Sequence, residues 1–580
     1  MPRATPSRYD GASKPSRCAS MAADPTPEKC KSPAIDRRRM MALTLGTAGA
    51  ASASASALAQ SPGYYSAPYS QPPAAFPPAP SPPAPVPAPA PPPAVPSCAA
   101  PERLDPVLFW SDTALQLDAL DHSIDAADAR APGPCAAARA LALAHIVIAD
   151  ACTAAYDCGY DGYIVRGGRA PGNEFAEAFV GGAAARILGH IYSAPAHTHL
   201  IGFQRRQFLR QYDSRVLAAW NAGLEFGRND RFTSQWHWDT VKTGTLSSLN
   251  RAENLRRGEH TVDPFNPDQK FYGVGWGRMP PLIAGLPVQT LGPGDPPREQ
   301  DRAYQQDLEE VRTLGRYRPQ GPTAEQVRLG VFWAYDGARL LGTPPNLYNR
   351  IVRQIAEADG FSIPELARLL ALCNIAMADA GIVCWEAKYR YQLWRPVVGI
   401  QNALQGRDPE WRPFGAPRSN PTAFALGSDS RRLTALSMLG GGEYTGSSEA
   451  AKDTLPYERA CFTPNFPSYP SGHASFGSAC FTMLKRVRAE RERTRGNPGA
   501  LDNVPPFISD ELNGITIDNF RNVPRPFTPL RFAHVDQMIQ DNNKSRVHLG
   551  VHWNFDCELG ARSGARVADA VYQSCYRKLR

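Results

Sequence analysis

Seven stretches of this chain, 136–156, 174–192, 203–226, 324–341, 364–382, 474–493 and 558–579, carry apolar residues at helical spacing, and nowhere is strand alternation sustained. That restricts the fold to a mainly α one. Thr323 with Gln326 and Ser362 with Glu365 read as capping-box starts for two of these helices. No repeat of fixed period stands out. Tryptophan, proline, glycine and asparagine crowd the stretch from 228 to 300, and glycines and prolines the stretch from 496 to 530; both read as long irregular loops.

The N-terminal part follows different rules. Arg37-Arg38-Arg39-Met40-Met41 precedes an uncharged Ala/Ser/Gly-rich run that closes on Ala57-Leu58-Ala59. The order basic, weakly apolar, small-x-small predicts a twin-arginine-type export signal over 1–59, with Met21 as an alternative start. Its apolar run is too weak for a membrane anchor, so no stable membrane insertion is expected. The implied partner is the twin-arginine export machinery, and the implied location is periplasmic or extracellular. Residues 60–100 are Pro/Ala-rich, with no charge from Ser61 to Pro96, and read as a disordered, semi-rigid linker. Two helical regions follow, 101–320 and 321–580, together about 480 residues, enough for a large core or two sub-bundles.

The formal net charge is +8, but residues 1–59 hold nine Lys/Arg and four Asp/Glu, so five of the eight charges leave with the leader. What remains is nearly balanced and shows no basic stripe interleaved with aromatics, which excludes nucleic-acid binding. Ten of the twelve cysteines lie beyond the leader and match no zinc or haem spacing. Several fall in apolar helical runs and read as small buried hydrophobes, while Cys98, beside the linker, is the candidate for an intermolecular bridge and so for a homo-oligomer.

Three short motifs in the C-terminal region fit one anion site. Lys388 and Arg395 are seven apart, close to two helical turns, so both are expected on one helix face, with Pro396 ending that helix. Pro470-Ser471-Gly472-His473 reads as a turn entering a helix, which places backbone N–H groups near Gly472 at a helix N-terminus, where anions are held. Ser545-Arg546 is followed by His552, and Asp556, one turn further on, is placed to accept the His552 Nδ1 proton and leave Nε2 free as ligand or nucleophile. Each piece alone is ordinary. Together, in order and within about 170 residues, they supply three cations, a hydroxyl, an amide cradle and two histidines. His548, one turn before His552, reads as a partly buried helix residue, the alternative being that it faces the site.

At these residues the chain resembles the superfamily of vanadium-dependent haloperoxidases and type-2 phosphatidic-acid or acid phosphatases. Phe332-Trp333-Ala334-Tyr335-Asp336-Gly337, Gly342-Thr343-Pro344-Pro345, the stretch 367–396, Phe466-Pro467-Ser468-Tyr469 before Pro470, Glu511-Leu512-Asn513-Gly514 and Leu549-Gly550-Val551-His552-Trp553 are similar to the fungal-type vanadium chloroperoxidases. The likeness runs roughly from 105 to 560 and is strongest after about 325. It implies two stacked four-helix bundles with the active site in the C-terminal one. It also implies vanadate as cofactor, His552 as the one protein ligand of the metal, and Lys388, Arg395, Arg546, Ser471 and Gly472 around its oxygens. His473 would be the acid–base group, Asp336 the partner of Arg546, and Trp385 and Phe466 the aromatic walls of the halide pocket.

Two chemistries can use that cage. One is peroxide-driven oxidation of halide, bromide and in second place chloride, to hypohalous acid, with vanadium(V) as Lewis acid. The other is an acid phosphatase acting through a phosphohistidine at His552, with His473 protonating the leaving alkoxide. A non-catalytic oxyanion binder is a third reading, and the pair His473 and His552 argues against it.

Overall fold

The computed structural model describes residues 104–579 apart from 124–127, 157, 166–174, 246–254, 318–320, 338–340, 418–460, 496–503, 515 and 517–526. The export signal over 1–59, the linker over 60–100 and Cys98 lie outside the described residues. The helices include α1 (Pro106–Asp121), α2 (Gly133–Ala155), α3 (Ala176–Ile191), α4 (Pro195–Leu209), α5 (Val216–Gly227), α6 (Arg302–Leu314), α7 (Ala324–Phe332), α8 (Pro344–Ala358), α9 (Ile363–Tyr391), α10 (Pro396–Gln401), α11 (Gly472–Arg495), α12 (Val535–His548) and α13 (Asn554–Ser574). Strand structure among the described residues is one antiparallel pair, Ala416–Pro417 with Cys461–Phe462, plus isolated bridges. The fold is mainly α, in helical bundles.

Helices α2 and α9 organise it. Both are long and apolar enough to cross a membrane, and both are buried along their most apolar stretch. A helix that is apolar all round must be enclosed, and here protein encloses it. On one side α9 packs against α2, which lies in turn against α3 and α1; on the other it packs against α11 and α13. The N-terminal and C-terminal bundles therefore meet through α2 and α9. Capping boxes start α7 at Thr323 with Gln326 and α9 at Ser362 with Glu365.

Three expected helices end elsewhere. The stretch 203–226 is split between α4 and α5, because the Asp213 carboxylate accepts the Arg215 N–H at 2.9 Å and offers the backbone a turn in place of a helix. The stretch 324–341 stops at Phe332; Trp333 and Tyr335 are buried in irregular backbone, and Tyr335 takes φ of 41°. Burial, not helicity, made that run apolar. The third case bears on the site. Pro396 does not end the helix that carries Lys388: α9 closes at Tyr391 with Gln392 in the left-handed region, and Pro396 opens α10 with Arg395 as its N-cap. Proline fits the first helical turn, where its missing N–H is no loss.

Nine described cysteines are free thiols, all but Cys158 buried. Helices α11 and α13 touch backbone to backbone: a Cβ added at Gly564 would lie 2.2 Å from the Ser475 carbonyl oxygen, and one at Gly560 would lie 2.9 Å from that of Ser471. Gly564→Ala should therefore lower stability by about 1–3 kcal/mol in urea denaturation. Arg562→Ala, on the exposed side of the same helix, should change it by less than about 0.5 kcal/mol.

Candidate active site

Lys388, in the last turn of α9, is fully buried, and its ammonium donates to the carbonyls of Pro467 at 2.7 Å and Ser468 at 3.0 Å. It lies over the rings of Trp385 at 5.4 Å and Phe466 at 5.0 Å. Arg395 donates through Nε to the Phe466 carbonyl at 2.9 Å and through Nη1 to the Val551 carbonyl at 2.7 Å and to His552 Nε2 at 2.9 Å. Arg546, near the end of α12, spends one nitrogen on Asp336, at 2.9 and 3.1 Å from its two oxygens. The two cations of the first motif thus converge although they are not on one helix. Carbonyl oxygens aim Lys388 and Arg395 without cancelling their charge.

Gly472 opens α11, and a Cβ there would lie 3.2 Å from the Trp385 ring. A side chain there would press on that ring. The Ser471 N–H donates to the Asp556 carbonyl at 2.9 Å, and its hydroxyl accepts the Ala474 N–H at 3.4 Å. His473 Nε2 donates to the Ala334 carbonyl at 2.6 Å and stands 3.8 Å from Asp336. The irregular stretch after α7 is what frees the Ala334 carbonyl and presents Asp336. Asn542 and the Tyr348 hydroxyl both donate to the His473 carbonyl, at 2.9 and 3.3 Å.

His552 sits between α12 and α13, separated from Arg546 by a turn in which Gly550 has φ of 67°. Its Nδ1–H donates to Asp556 at 2.9 Å, and that carboxylate also accepts the Trp553 N–H at 3.1 Å and the Ser468 hydroxyl. Nε2 is therefore the unprotonated nitrogen of the ring, and it accepts from Arg395 Nη1. Burial, then the three cations Arg395, Lys388 and Arg546, hold His552 well below the usual histidine range. His473 is lowered to about 4 by burial and Arg546, against the opposite pull of Asp336. Burial pulls Lys388 down to about 7 and Arg395 to about 9. Asp556 is raised to about 7, by burial above all.

Trp385 and Phe466 lie side by side, ring centroids 4.9 Å apart, and Tyr272 stands 6.1 Å from each. His548 is mostly buried, and the charges acting on it are Lys544 and Glu310, not the site cations; it is a helix residue at the end of α12. The sequence reading missed Ser468, Tyr272, Ala334, Tyr348 and Asn542. Ser468 was within reach, two residues after Phe466 in a run already singled out. The others act through backbone oxygens or from distant segments and leave no local pattern.

A tetrahedral oxyanion fits this cage. Among the described residues Arg395 Nη2 and Arg546 Nε and Nη1 are buried with no hydrogen-bond partner, and Asp336 and Asp556 are the carboxylates beside the cationic cage. A bare metal cation does not fit, since no group of three or more His, Cys, Asp or Glu among the described residues is placed to chelate one. Vanadate meets these terms, because it enters as an oxyanion and needs one histidine.

Fold and site together define a helical-bundle protein with a buried cage of cationic side chains. Residues 368–580 match the VCPO second helical-bundle domain. Vanadium chloroperoxidase of Curvularia inaequalis is 28% identical over 523 residues, 78% of each chain. A bacterial vanadium-dependent iodoperoxidase superposes with a TM-score of 0.59 at 16% identity, covering 82% of this chain and 97% of its own. An apo-type bacterial vanadium-dependent chloroperoxidase superposes at 0.50 and 14%, covering 76% and 93%. The chain is related to the vanadium haloperoxidases and shares their helical-bundle fold.

Oxyanion binding should weaken as pH rises. Lys388 must be protonated to hold the anion, and the anion raises its proton affinity, so binding takes up a proton above about pH 7; ionisation of Asp556 acts in the same direction. Calorimetry with molybdate, fully ionised throughout, should show affinity falling by up to about tenfold per unit between roughly pH 7 and pH 9. Lys388→Met should bind more weakly throughout, with a flatter profile.

Proposed function

We propose that this chain is a vanadate-dependent haloperoxidase that oxidises bromide, and chloride, with hydrogen peroxide to hypohalous acid. The observation that carries the reading is the set of guanidinium N–H groups without a partner among the described residues, together with an unprotonated His552 Nε2 beside an aromatic wall. Vanadate, when bound, supplies a Lewis acid that activates peroxide without a change of oxidation state. The chain's residues do the rest. His552 Nε2 holds the cofactor, and Asp556 fixes its tautomer. Lys388, Arg395 and Arg546, with the Ser471 hydroxyl and the Gly472 N–H, balance the oxyanion charge, and Asp336 holds Arg546 in place. His473 is neutral when the cage is empty of anion. An anion offsets the neighbouring cations, which raises the proton affinity of His473 and suits it to take a proton from peroxide and return it. Trp385 and Phe466 exclude water from the halide side.

The phosphatase reading shares the bare His552 Nε2, and the aromatic wall is the feature that favours halide over a phosphomonoester. Hydrogen peroxide and halide are the proposed substrates. Export through the 1–59 leader, supported by Arg37-Arg38-Arg39 and Ala57-Leu58-Ala59, belongs to the same proposal.

The test is halide oxidation by metal-stripped protein with peroxide, with and without orthovanadate. Activity that requires vanadate and is competed away by phosphate is expected; phosphomonoester hydrolysis without vanadate, and no halide oxidation, would overturn the reading. His552→Ala should abolish both vanadate binding and turnover. His473→Ala should keep binding, measured by calorimetry, and lose about 10²–10⁴ in rate.

A further inference from the structure

His260 is among the buried polar side chains near the site that have no hydrogen-bond partner among the described residues. His260 is 1% exposed, and neither Nδ1 nor Nε2 makes a hydrogen bond to any described residue. An imidazole always carries at least one N–H, and a buried donor left unmatched is unfavourable, so the ring has a donor to offer a ligand.

Its place is set from both sides. The backbone N–H of His260 donates to the Gln392 carbonyl at 2.6 Å, in the turn between Lys388 and Arg395. The adjacent backbone bridges Glu259 to Leu393, and the Gly258 carbonyl accepts the Trp394 N–H at 2.8 Å. The imidazole lies against Phe271, centroids 4.8 Å apart, and the next residue, Tyr272, touches both Trp385 and Phe466. Lys388 and Arg395 act on the ring and, together with burial, keep it neutral.

We propose that His260 donates an imidazole N–H to the halide, as the directional contact of a pocket walled by Phe271, Tyr272, Phe466 and Trp385 and charged by Lys388 and Arg395. A monoatomic, weakly hydrated anion needs an offset charge, polarisable walls and few fixed donors. Two cations over the Phe466 ring, each at 5.0 Å, give the charge, and the rings give the walls. To these His260 adds a neutral donor on the Phe271 side, beside the Trp385 Nε1–H, which is likewise buried and without a partner among the described residues. The assignment rests on the haloperoxidase reading.

His260→Phe keeps an aromatic ring against Phe271 and removes the N–H; His260→Gln restores a donor. In vanadate-loaded enzyme the bromide KM should rise roughly tenfold in His260→Phe with kcat within about twofold, and His260→Gln should recover part of the loss. Molybdate affinity should be unchanged in both variants. Bromide-81 NMR line broadening by the loaded wild type, which needs no turnover, should be lost in His260→Phe. Unchanged KM and line broadening in a folded His260→Phe would overturn the proposal. So would a fall in kcat and molybdate affinity at constant KM, since His260 would then only position Lys388 and Arg395. If the wild type broadens the bromide line through His260 yet oxidises no halide, the haloperoxidase reading fails while the anion contact stands.

Discussion

Three cations buried in an apolar bundle and aimed at one point are the constraint on which this structure turns. Lys388, Arg395 and Arg546 are each at most 1% exposed. Taking such groups out of water is costly unless something answers the charge. Asp336 answers part of Arg546, and Asp556 acts across His552 on the rest. The remainder is unanswered among the described residues, where guanidinium N–H groups stay unpartnered inside a closely packed protein. A bundle that fully neutralised them would gain stability and lose the site.

Backbone does much of the aiming. The carbonyls of Phe466, Pro467, Ser468 and Val551 hold Lys388 and Arg395 by hydrogen bonds that fix direction while leaving net charge. Those carbonyls are available because the chain is irregular there: the run before α11 and the turn before α13 make no helical use of them. The Ala334 carbonyl is free for His473 for the same reason. Irregular loops at the bundle ends are therefore the part of the fold that does chemistry, and the helices keep them in register. Helix α11 lies so near α13 that Gly560 and Gly564 face the Ser471 and Ser475 carbonyls directly, which ties the amide cradle to the helix that carries Asp556.

The aromatic side of the site has the same logic at lower charge. Trp385, Phe466 and Tyr272 form a contiguous wall under Lys388 and Arg395. The wall draws on three segments, α9, the run before α11 and the loop that holds Phe271 and Tyr272. That loop comes from the N-terminal half, so the pocket is completed by chain outside the residues matched to the second helical-bundle domain.

The sequence by itself determined the helical class, because burial on one or all faces of a helix writes a period that needs no partner to be read. It also marked Lys388, Arg395, Ser471, Gly472, His473, Arg546, His552 and Asp556 as one candidate set, because each motif is local and its residue types suit one anion. Tertiary structure alone decided how they are presented. Whether Pro396 closes a helix or opens one depends on the left-handed Gln392 before it, and the apolar run after Phe332 reads alike as helix or as buried loop. The parts played by Ala334, Ser468, Tyr272 and His260 depend on contacts between segments far apart in the chain, where the energy lies in burial and long-range hydrogen bonds. Local pattern carries no record of those terms, so they become visible only when the chain is folded.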